Sequence, residues 1–384
     1  MSSLGSPSEV PPPAELPPVR ASLRLVRLGI EGIRNLEVTS FEPGPQFTVL
    51  AGDNGQGKTS LLEAVYVACR GQSFRTSSMN DVVQHGAPRA RLRATLEEDG
   101  VPREQNVILE PGRRRLELDG TRPRSIAAYA VRTPVVVFHP GELVLTTGAA
   151  SLRRQLLDRV AFFRAPAHAA ALSDYTQAQK ERQRALEERG PRARDLDQWE
   201  ELVVQHGCAV MRARLAAETE LTRETSTAFA ELGAPELRLS ARYVATAPLD
   251  APAYRTALEA SRVRDAHRGS SSIGPHRDEW ELVLGGVPVR QFASQGQHRA
   301  LVLAIKSAEI EVVARARAVQ PLVLLDDVSS ELDRERTRAL FTFLRRQRGQ
   351  VLLTTTRPEL VELGSGGPDL RLDLEVRRGV LGRP

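Results

Sequence analysis

Phe47-Thr-Val-Leu-Ala51-Gly52-Asp53-Asn54-Gly55-Gln56-Gly57-Lys58-Thr59-Ser60 is the segment from which the rest of the chain can be read. A short apolar strand, Phe47–Ala51, runs straight into a glycine-rich loop. An apolar helical stretch, Leu61 to Cys69, follows and stops near Gly71. Gly52, Gly57, Lys58 and Thr59 fit the pattern G-x-x-x-x-G-K-[ST] in the strand–loop–helix context it requires. The chemistry follows from the residue types. Glycines let the backbone of Gly52, Asp53, Asn54, Gly55, Gln56 and Gly57 wrap a phosphate chain with its N–H groups turned inward. The helix that opens there adds the positive end of its dipole. Lys58 reaches the terminal phosphates, Thr59 offers a hydroxyl to Mg²⁺, and Ser60 completes the loop. ATP with Mg²⁺ is the cofactor pair this segment implies.

A metal-binding acid is then needed at the end of a buried strand. Leu322-Val-Leu-Leu-Asp326-Asp327 is the strong candidate, 268 positions after Lys58. Compact P-loop enzymes place the two motifs much closer, and no Asn-Lys-x-Asp is present to read guanine. The spacing therefore predicts a P-loop ATPase with a large insertion. Between the two lies Ser294-Gln295-Gly296-Gln297-His298-Arg299, which opens a long apolar helix over about 297–318. A Ser cap followed by Gly leaves backbone N–H groups free for an anion. A second phosphate-facing helix start makes sense if it faces the γ-phosphate held by another subunit.

Composition bounds the rest. The 384 residues give room for two to three domains, and 41% apolar with 26% charged residues is ordinary globular usage. No apolar run reaches the ~18 residues of a membrane span, and no secretory leader is visible, so a cytoplasmic protein is expected. Cys69 and Cys208 are too far apart and too few for a disulfide framework or zinc cluster, and they read as buried free thiols. The net charge of +5 is a mild hint of nucleic acid. Of 53 cationic residues only Lys58, Lys180 and Lys306 are lysine, which singles out Lys58, because arginine does not replace lysine in a tight phosphate cradle.

The chain divides by character. Residues 1–20 hold six prolines and read as a disordered tail. Residues 21–150 carry the P-loop and short strand signals at Leu23–Ile30, Leu92–Leu96, Val107–Leu109, Leu116–Leu118 and Val135–Phe138. From 151 to 235 strand signals vanish; Gly190-Pro191 splits this stretch into two helices folded back on each other, a helical arm. Residues 236–384 return to strands, at Leu237–Val244, Glu281–Leu284 and Val351–Thr355. The fold class expected is α/β: an ABC-type P-loop ATPase head assembled from both chain ends, with an inserted helical arm.

These motifs together resemble the ABC-type ATPases of chromosome maintenance, the SMC class, and more closely the RecF family. The resemblance rests on GDNGQGKTSLLEA, RRQLLD (Arg153–Asp158), GPHRDE (Gly274–Glu279), SQGQHR and LLDDVSSELD, in order from about residue 22 to 375, with Trp199 in the arm also fitting. It implies that Ser294–Gln297 is the signature motif, that Asp326 holds Mg²⁺, that Asp327 orients the attacking water with Lys58 as the other catalytic group, and that Ser329–Asp333 is a D-loop whose Asp333 touches the partner's site. Thr354–Thr356 falls where a switch residue follows the next strand. It further implies a slow ATPase that forms an ATP-dependent homodimer on duplex or single/double-strand junction DNA. RecO and RecR are the implied partners, and loading of RecA the implied outcome. Three positions depart from the pattern: His298 in place of Gln, Glu279 in place of a second Asp, and His139-Pro-Gly-Glu-Leu143 in place of a Ser-Pro-Glu-Asp-Leu string. An OLD-type ATPase would need a further acidic metal cluster, for which the residues after the last strand leave no room. A transporter ATPase would need a much shorter path from P-loop to signature.

Three further groups have two readings each. Gly274–Asp278 is either a hydrogen-bonded turn that locks two lobes or a nucleotide- or DNA-coupling element. Arg153-Arg154 is either a solvated face or a phosphate contact. Lys180-Glu-Arg-Gln-Arg184 reads more as a solvated helix face than as a DNA-binding stripe.

Overall fold

The computed structural model describes residues 22–232, 237–327, 334–347, 349–361 and 370–383. Strand β1 (Leu23–Glu31) buries Leu23, Leu25, Leu28 and Ile30, the alternation its sequence predicts, with one register shift between Leu25 and Arg27. After β2 (Ser40–Phe41) comes β3 (Phe47–Ala51), and α1 (Lys58–Arg70) starts directly from the glycine loop and ends on Gly71. An antiparallel ribbon follows: β4 (Ala90–Glu98), β5 (Val101–Glu110) and β6 (Arg113–Leu118). Asp99-Gly100, both at positive φ, make the tight turn between the first two. This gives a sheet in the order β2-β1-β4-β5-β6. Then come α2 (Ile126–Ala130) and β7 (Val135–Phe138).

The middle of the chain is helical: α3 (Ala150–Arg164), α4 (His168–Arg189) and α5 (Leu196–Leu232). It continues with β8 (Leu239–Val244), α6 (Ala251–Arg268), β9 (Glu279–Leu284), β10 (Val287–Pro288) and the single turn α7 (Val289–Phe292). The last part holds α8 (Gln295–Arg317), β11 (Leu322–Leu325), α9 (Arg334–Gln347), β12 (Val351–Thr355), β13 (Arg371–Arg377) and β14 (Val380–Gly382).

The head is organised around a sheet in the order β14-β13-β3-β12-β11-β7, parallel except for its β13–β14 edge hairpin. Its strands come from both ends of the chain, as an insertion between the two halves requires. A parallel strand covered on both faces reads as a continuous apolar run rather than an alternation, which is why FTVL, VVVF, LVLL and VLLTT are all buried. Successive residues then serve opposite cores. Val136, Val323, Leu325, Val351 and Leu353 face α3, α8 and the distal half of α5. Val135, Leu322, Leu324 and Leu352 face α1 and the five-stranded sheet. Each such side chain contributes ~1.5–3 kcal/mol by leaving water.

The insertion differs from a simple pair of helices. α3 packs Leu156, Leu157 and Val160 into the head core. α5 is one 37-residue helix that serves both regions: Val203, Val204 and Met211 lie in the arm core, Leu221 and Phe229 in the head core. The arm core also takes Ala247, Tyr254 and Leu258 from beyond position 235, where the sequence placed the head. α6 went unrecognised because its apolar stripe is thin; two of its four buried residues are Ser261 and Asp265. Those polar residues meet Arg182, which is wholly buried and ion-paired with Glu200 (3.0 Å) and Asp265 (2.9 Å). The reading of Lys180–Arg184 as a solvated face is therefore corrected at Arg182, which holds α4, α5 and α6 together.

Candidate nucleotide-binding site

The phosphate cradle is built as its residue types dictate. Gly52, Gly55 and Gly57 have φ of 151°, 78° and 108°, so the loop turns through conformations that side chains resist. Lys58 Nζ donates to the carbonyls of Gly52 (2.6 Å) and Asp53 (2.8 Å), which arches the loop over the start of α1. Burial lowers the Lys58 pKa, opposed by the charges of Asp327, Asp326 and Asp53.

The second half of the site comes from the distant motif. β11 lies two strands from β3, with β12 between them, so the parallel order delivers Asp326 to the loop. Thr59 Oγ1 donates to Asp326 Oδ1 at 2.8 Å, and Thr354 Oγ1 donates to the same oxygen at 2.8 Å. The backbone N–H of Asp327 donates to Thr354 Oγ1 at 2.9 Å. Thr354 thus touches both acids from the end of β12. Asp327 sits at φ 49°, a left-handed conformation that Asp tolerates better than most residues. The hydroxyl of Thr59 and the carboxylate of Asp326 are hard oxygen donors on adjoining elements, the donor chemistry Mg²⁺ takes. A cleft of about 340 Å³ joins Asn54, Lys58, Thr59, Asp326, Asp327 and Thr354.

Several groups in and around this cleft carry no sequence signal. Asn35 accepts from Ser60 Oγ (2.9 Å) and donates to the Gly55 carbonyl (3.3 Å). Arg75 lines the cleft and pairs with Glu63 at 3.1 Å. Glu63 is fully buried, and although burial opposes its charge, hydrogen bonds from Arg34 and Ser73 and the charge of Arg75 hold its pKa below the ordinary value. A lone carboxylate in the apolar run of α1 was the one visible sign of this cluster. The turn of the β13–β14 hairpin braces the loop from outside: Arg378 N–H donates to Gln56 Oε1 (2.7 Å) and Gly379 N–H to the Gln56 carbonyl (2.8 Å).

The signature segment stands apart from the cleft. Ser294 caps α8 in a reciprocal capping box with Gln297: the Gln297 N–H donates to Ser294 Oγ (3.3 Å) and the Ser294 N–H to Gln297 Oε1 (2.8 Å). Ser294 and Gln295 are exposed, and Gly296 lies beside Arg336 of α9. None of the four lines the cleft around Lys58. His298 bonds Thr146 Oγ1 at 2.9 Å. Asp333 and the rest of Ser329–Asp333 lie outside the described residues.

The remaining family motifs form a joint between arm and head. Arg153 is buried in a bidentate pair with Glu279 (2.7 and 2.8 Å), and Arg154 donates to the Asp278 carbonyl (2.7 Å). Arg153 is therefore neither a solvated nor a phosphate-contacting arginine, which corrects both readings at that position, whereas Arg154 is half-buried. Asp278 accepts from Thr246 and from the Tyr243 hydroxyl, Asp158 pairs with Arg214, and Arg214 bonds the Pro275 carbonyl. Gly274–Asp278 is thus a hydrogen-bonded lock.

Residues 24–367 match the family described as RecF/RecN/SMC N terminal domain. The chain is 38% identical over 356 residues to the DNA replication and repair protein RecF of Anaeromyxobacter sp. (strain Fw109-5), covering 90% of this chain and 96% of that relative. It is 36% identical over 343 residues to the protein of the same description from Geobacter sp. (strain M21), covering 87% and 93%. The chain belongs to the RecF family. Among solved structures, the recombination mediator protein RecF-ATP in the RecFOR pathway superposes with a TM-score of 0.85 at 22% identity, over 96% of this chain and 100% of that one. An SmcHead bound to the C-winged helix domain of ScpA gives 0.54 at 15% identity, over 93% and 95%. At these identities the likeness speaks for the fold: a RecF-type ATPase head with its arm. Among the described residues no helix is long and apolar enough to cross a membrane.

Proposed function

We propose that this chain is an ATP-gated DNA-binding ATPase acting as a recombination mediator, two copies closing on DNA around two ATP molecules. The observation that carries the proposal is the split site. One cleft unites Lys58, Thr59, Asp326 and Asp327, while the capped helix start at Ser294 is exposed and lies outside it. A phosphate-binding helix start with no phosphate site on its own subunit is suited to the γ-phosphate held by a partner.

In this reading the loop N–H groups and Lys58 bind the triphosphate. Thr59 and Asp326 would hold Mg²⁺, which when bound neutralises phosphate charge as transfer proceeds. Asp327 positions the attacking water, and Thr354 orients the Asp326 carboxylate while anchoring the backbone of Asp327. Hydrolysis is slow and reopens the dimer. RecF relatives are described as DNA replication and repair proteins and a solved RecF as a recombination mediator in the RecFOR pathway, which supports DNA as the ligand with RecO and RecR as partners; gapped or junction DNA and RecA loading complete the proposal.

The test is the association state, measured by sedimentation with and without ATP and gapped DNA, for the wild-type chain and Ser294→Arg. Wild type should dimerise with ATP. Ser294→Arg should bind ATP as a monomer and fail to dimerise, because a bulky cation occupies the docking point. ATP-driven dimers of Ser294→Arg equal to wild type would overturn the trans arrangement.

A further inference from the structure

The net charge of +5 leaves open where a nucleic acid would lie, since many surface arginines are matched by a carboxylate: Arg24 with Glu97, Arg89 with Glu31, Arg93 with Glu104. One region gathers several unmatched arginines in a single groove. Residues 113–124 (RRRLELDGTRPR) carry five arginines against Glu117 and Asp119, a local charge of +3 within twelve positions. β6 and the segment leading into α2 fold this stretch into the lining of an open groove of about 820 Å³, which Arg113, Arg114, Arg122 and Arg124 share with Ser78 and Asn80.

Arg113, Arg122 and Arg124 are exposed, and no carboxylate pairs with them among the described residues. The acid of the groove, Glu110, lies 3.6 Å from Arg115, and Asp119 is spent on the N–H of Glu104 (2.7 Å). Three unneutralised guanidinium groups with hydroxyl and amide donors around them match a row of phosphates, not a carboxylate-bearing protein surface alone. Nothing aromatic lines the groove to stack a base.

The groove also adjoins the nucleotide machinery. Arg114 donates to the carbonyl of Gly71, the residue that caps the far end of α1. Asn80 Oδ1 accepts from the N–H of Gly112 at the β5–β6 turn. Ser73 and Arg75, which hold Glu63, lie a few residues before Ser78 on the same segment. The helix whose first turn binds the triphosphate therefore ends against the groove's wall.

We infer that the groove walled by Arg113, Arg122 and Arg124 is a docking surface for the DNA phosphate backbone. The inference rests on the DNA-binding function proposed above and assigns it a place. DNA enters without sequence readout, and the three arginines supply part of the counterion release that drives binding.

The experiment measures binding of a labelled gapped duplex with saturating ATP at several salt concentrations. It compares wild type, Arg113→Glu/Arg122→Glu/Arg124→Glu, the same three positions changed to Lys, and a control with Arg192→Glu/Arg194→Glu on the arm. Losing three phosphate contacts should weaken binding at least ~10-fold and flatten the log–log salt slope by about 2–3 units per groove. The Lys variant should keep most of the slope, and the arm control should bind as wild type. Nucleotide binding, read separately, should not change in any of them. Wild type without DNA binding would overturn the proposed function itself. A Glu variant that binds like wild type, an arm control weakened equally, or a Lys variant as weak as the Glu variant would overturn the groove. Should the Glu variant fail to fold, each Arg→Ala change alone should still lower the slope by about 0.9, and unchanged slopes would decide against the groove.

Discussion

Lys58 is the buried cation on which the proposed nucleotide binding rests. Its ammonium sits between two loop carbonyls, 2.6 and 2.8 Å away, within reach of three carboxylates. Truncating one partner of a buried charge pair costs ~2–5 kcal/mol. Lys58→Met should therefore weaken ATP binding ~30-fold or more, and Lys58→Arg should also be impaired because a planar fork does not fit the cradle. Equilibrium titration with labelled ATP checks this, and unchanged affinity would sink the P-loop assignment. In the proposed mechanism the adjacent acids divide the remaining work. Asp326 takes hydrogen bonds from Thr59 and Thr354, whereas Asp327 engages Thr354 through its backbone N–H. Asp326→Asn should lose Mg²⁺-dependent binding. Asp327→Asn should bind ATP but turn over ~10²–10⁴-fold more slowly, the usual worth of a positioned base. Identical failure of both variants at the binding step would show that the roles are not divided.

Two elements transmit constraint to the site. The β13–β14 hairpin braces the loop through Gly379, at φ 77°, where a Cβ would lie 2.1 Å from the Asn35 carbonyl oxygen. Gly379→Ala should cost ~1–3 kcal/mol in backbone strain and weaken ATP binding, although residue 379 bears no side chain toward the nucleotide. Thermal unfolding and ATP titration of the variant check it, and a variant unchanged in both would show that the brace is dispensable. The arm–head joint carries a pH dependence. His276 Nε2 faces the Ser271 carbonyl, which only accepts, and Nδ1 meets the Tyr175 hydroxyl at 2.6 Å. Burial lowers its pKa, helped by Arg277 and Arg154 and opposed by the Ser271 carbonyl and Asp278. The folded chain then binds fewer protons here than the unfolded chain. This contribution to stability is complete above the ordinary histidine value of ~6.5 and is lost as pH falls toward the folded value. Melting curves at pH 7.5 and 5.5 should show wild type losing more stability than His276→Gln, whose amide can serve both neighbours. Equal losses would remove His276 from the account.

Across the molecule, charge and closure act together. One subunit offers a limited basic surface, and in the proposed ATP-driven closure two subunits would double the phosphates that one complex neutralises. DNA affinity should therefore rise with ATP. If closure adds about 3–5 phosphate contacts, the salt slope should steepen by about 3–4 units, at ~0.9 per contact on duplex. Few aromatics are available to stack bases, 4% of the chain, so duplex or junction DNA should be preferred over bare single strands. Titrations on the three DNA forms with and without ATP check this. Equal affinity with and without nucleotide, or a strong preference for single strands, would contradict an ATP-gated duplex binder.

Whatever depends on contiguous residues could be read from the chain alone. The P-loop is one strand, one turn and one helix start, and its glycines, Lys58 and Thr59 carry their geometry with them. The apolar runs of β3, β7, β11 and β12 mark strands covered on both faces, and Ser294 with Gln297 marks a helix cap. Folding was needed wherever a side chain takes its meaning from a partner far along the chain. Arg153 and Arg154 look like a solvated pair until Glu279 and the Asp278 carbonyl reach them across more than a hundred residues. Arg182 looks like a surface charge until α6 brings Asp265. Gly379 reaches the candidate site because β13 lies beside β3, and Asn35 and Arg75 reach it on loops outside that sheet. A charged or polar residue carries no local mark of its counterpart, whereas an apolar run or a glycine turn states its requirement within a few positions.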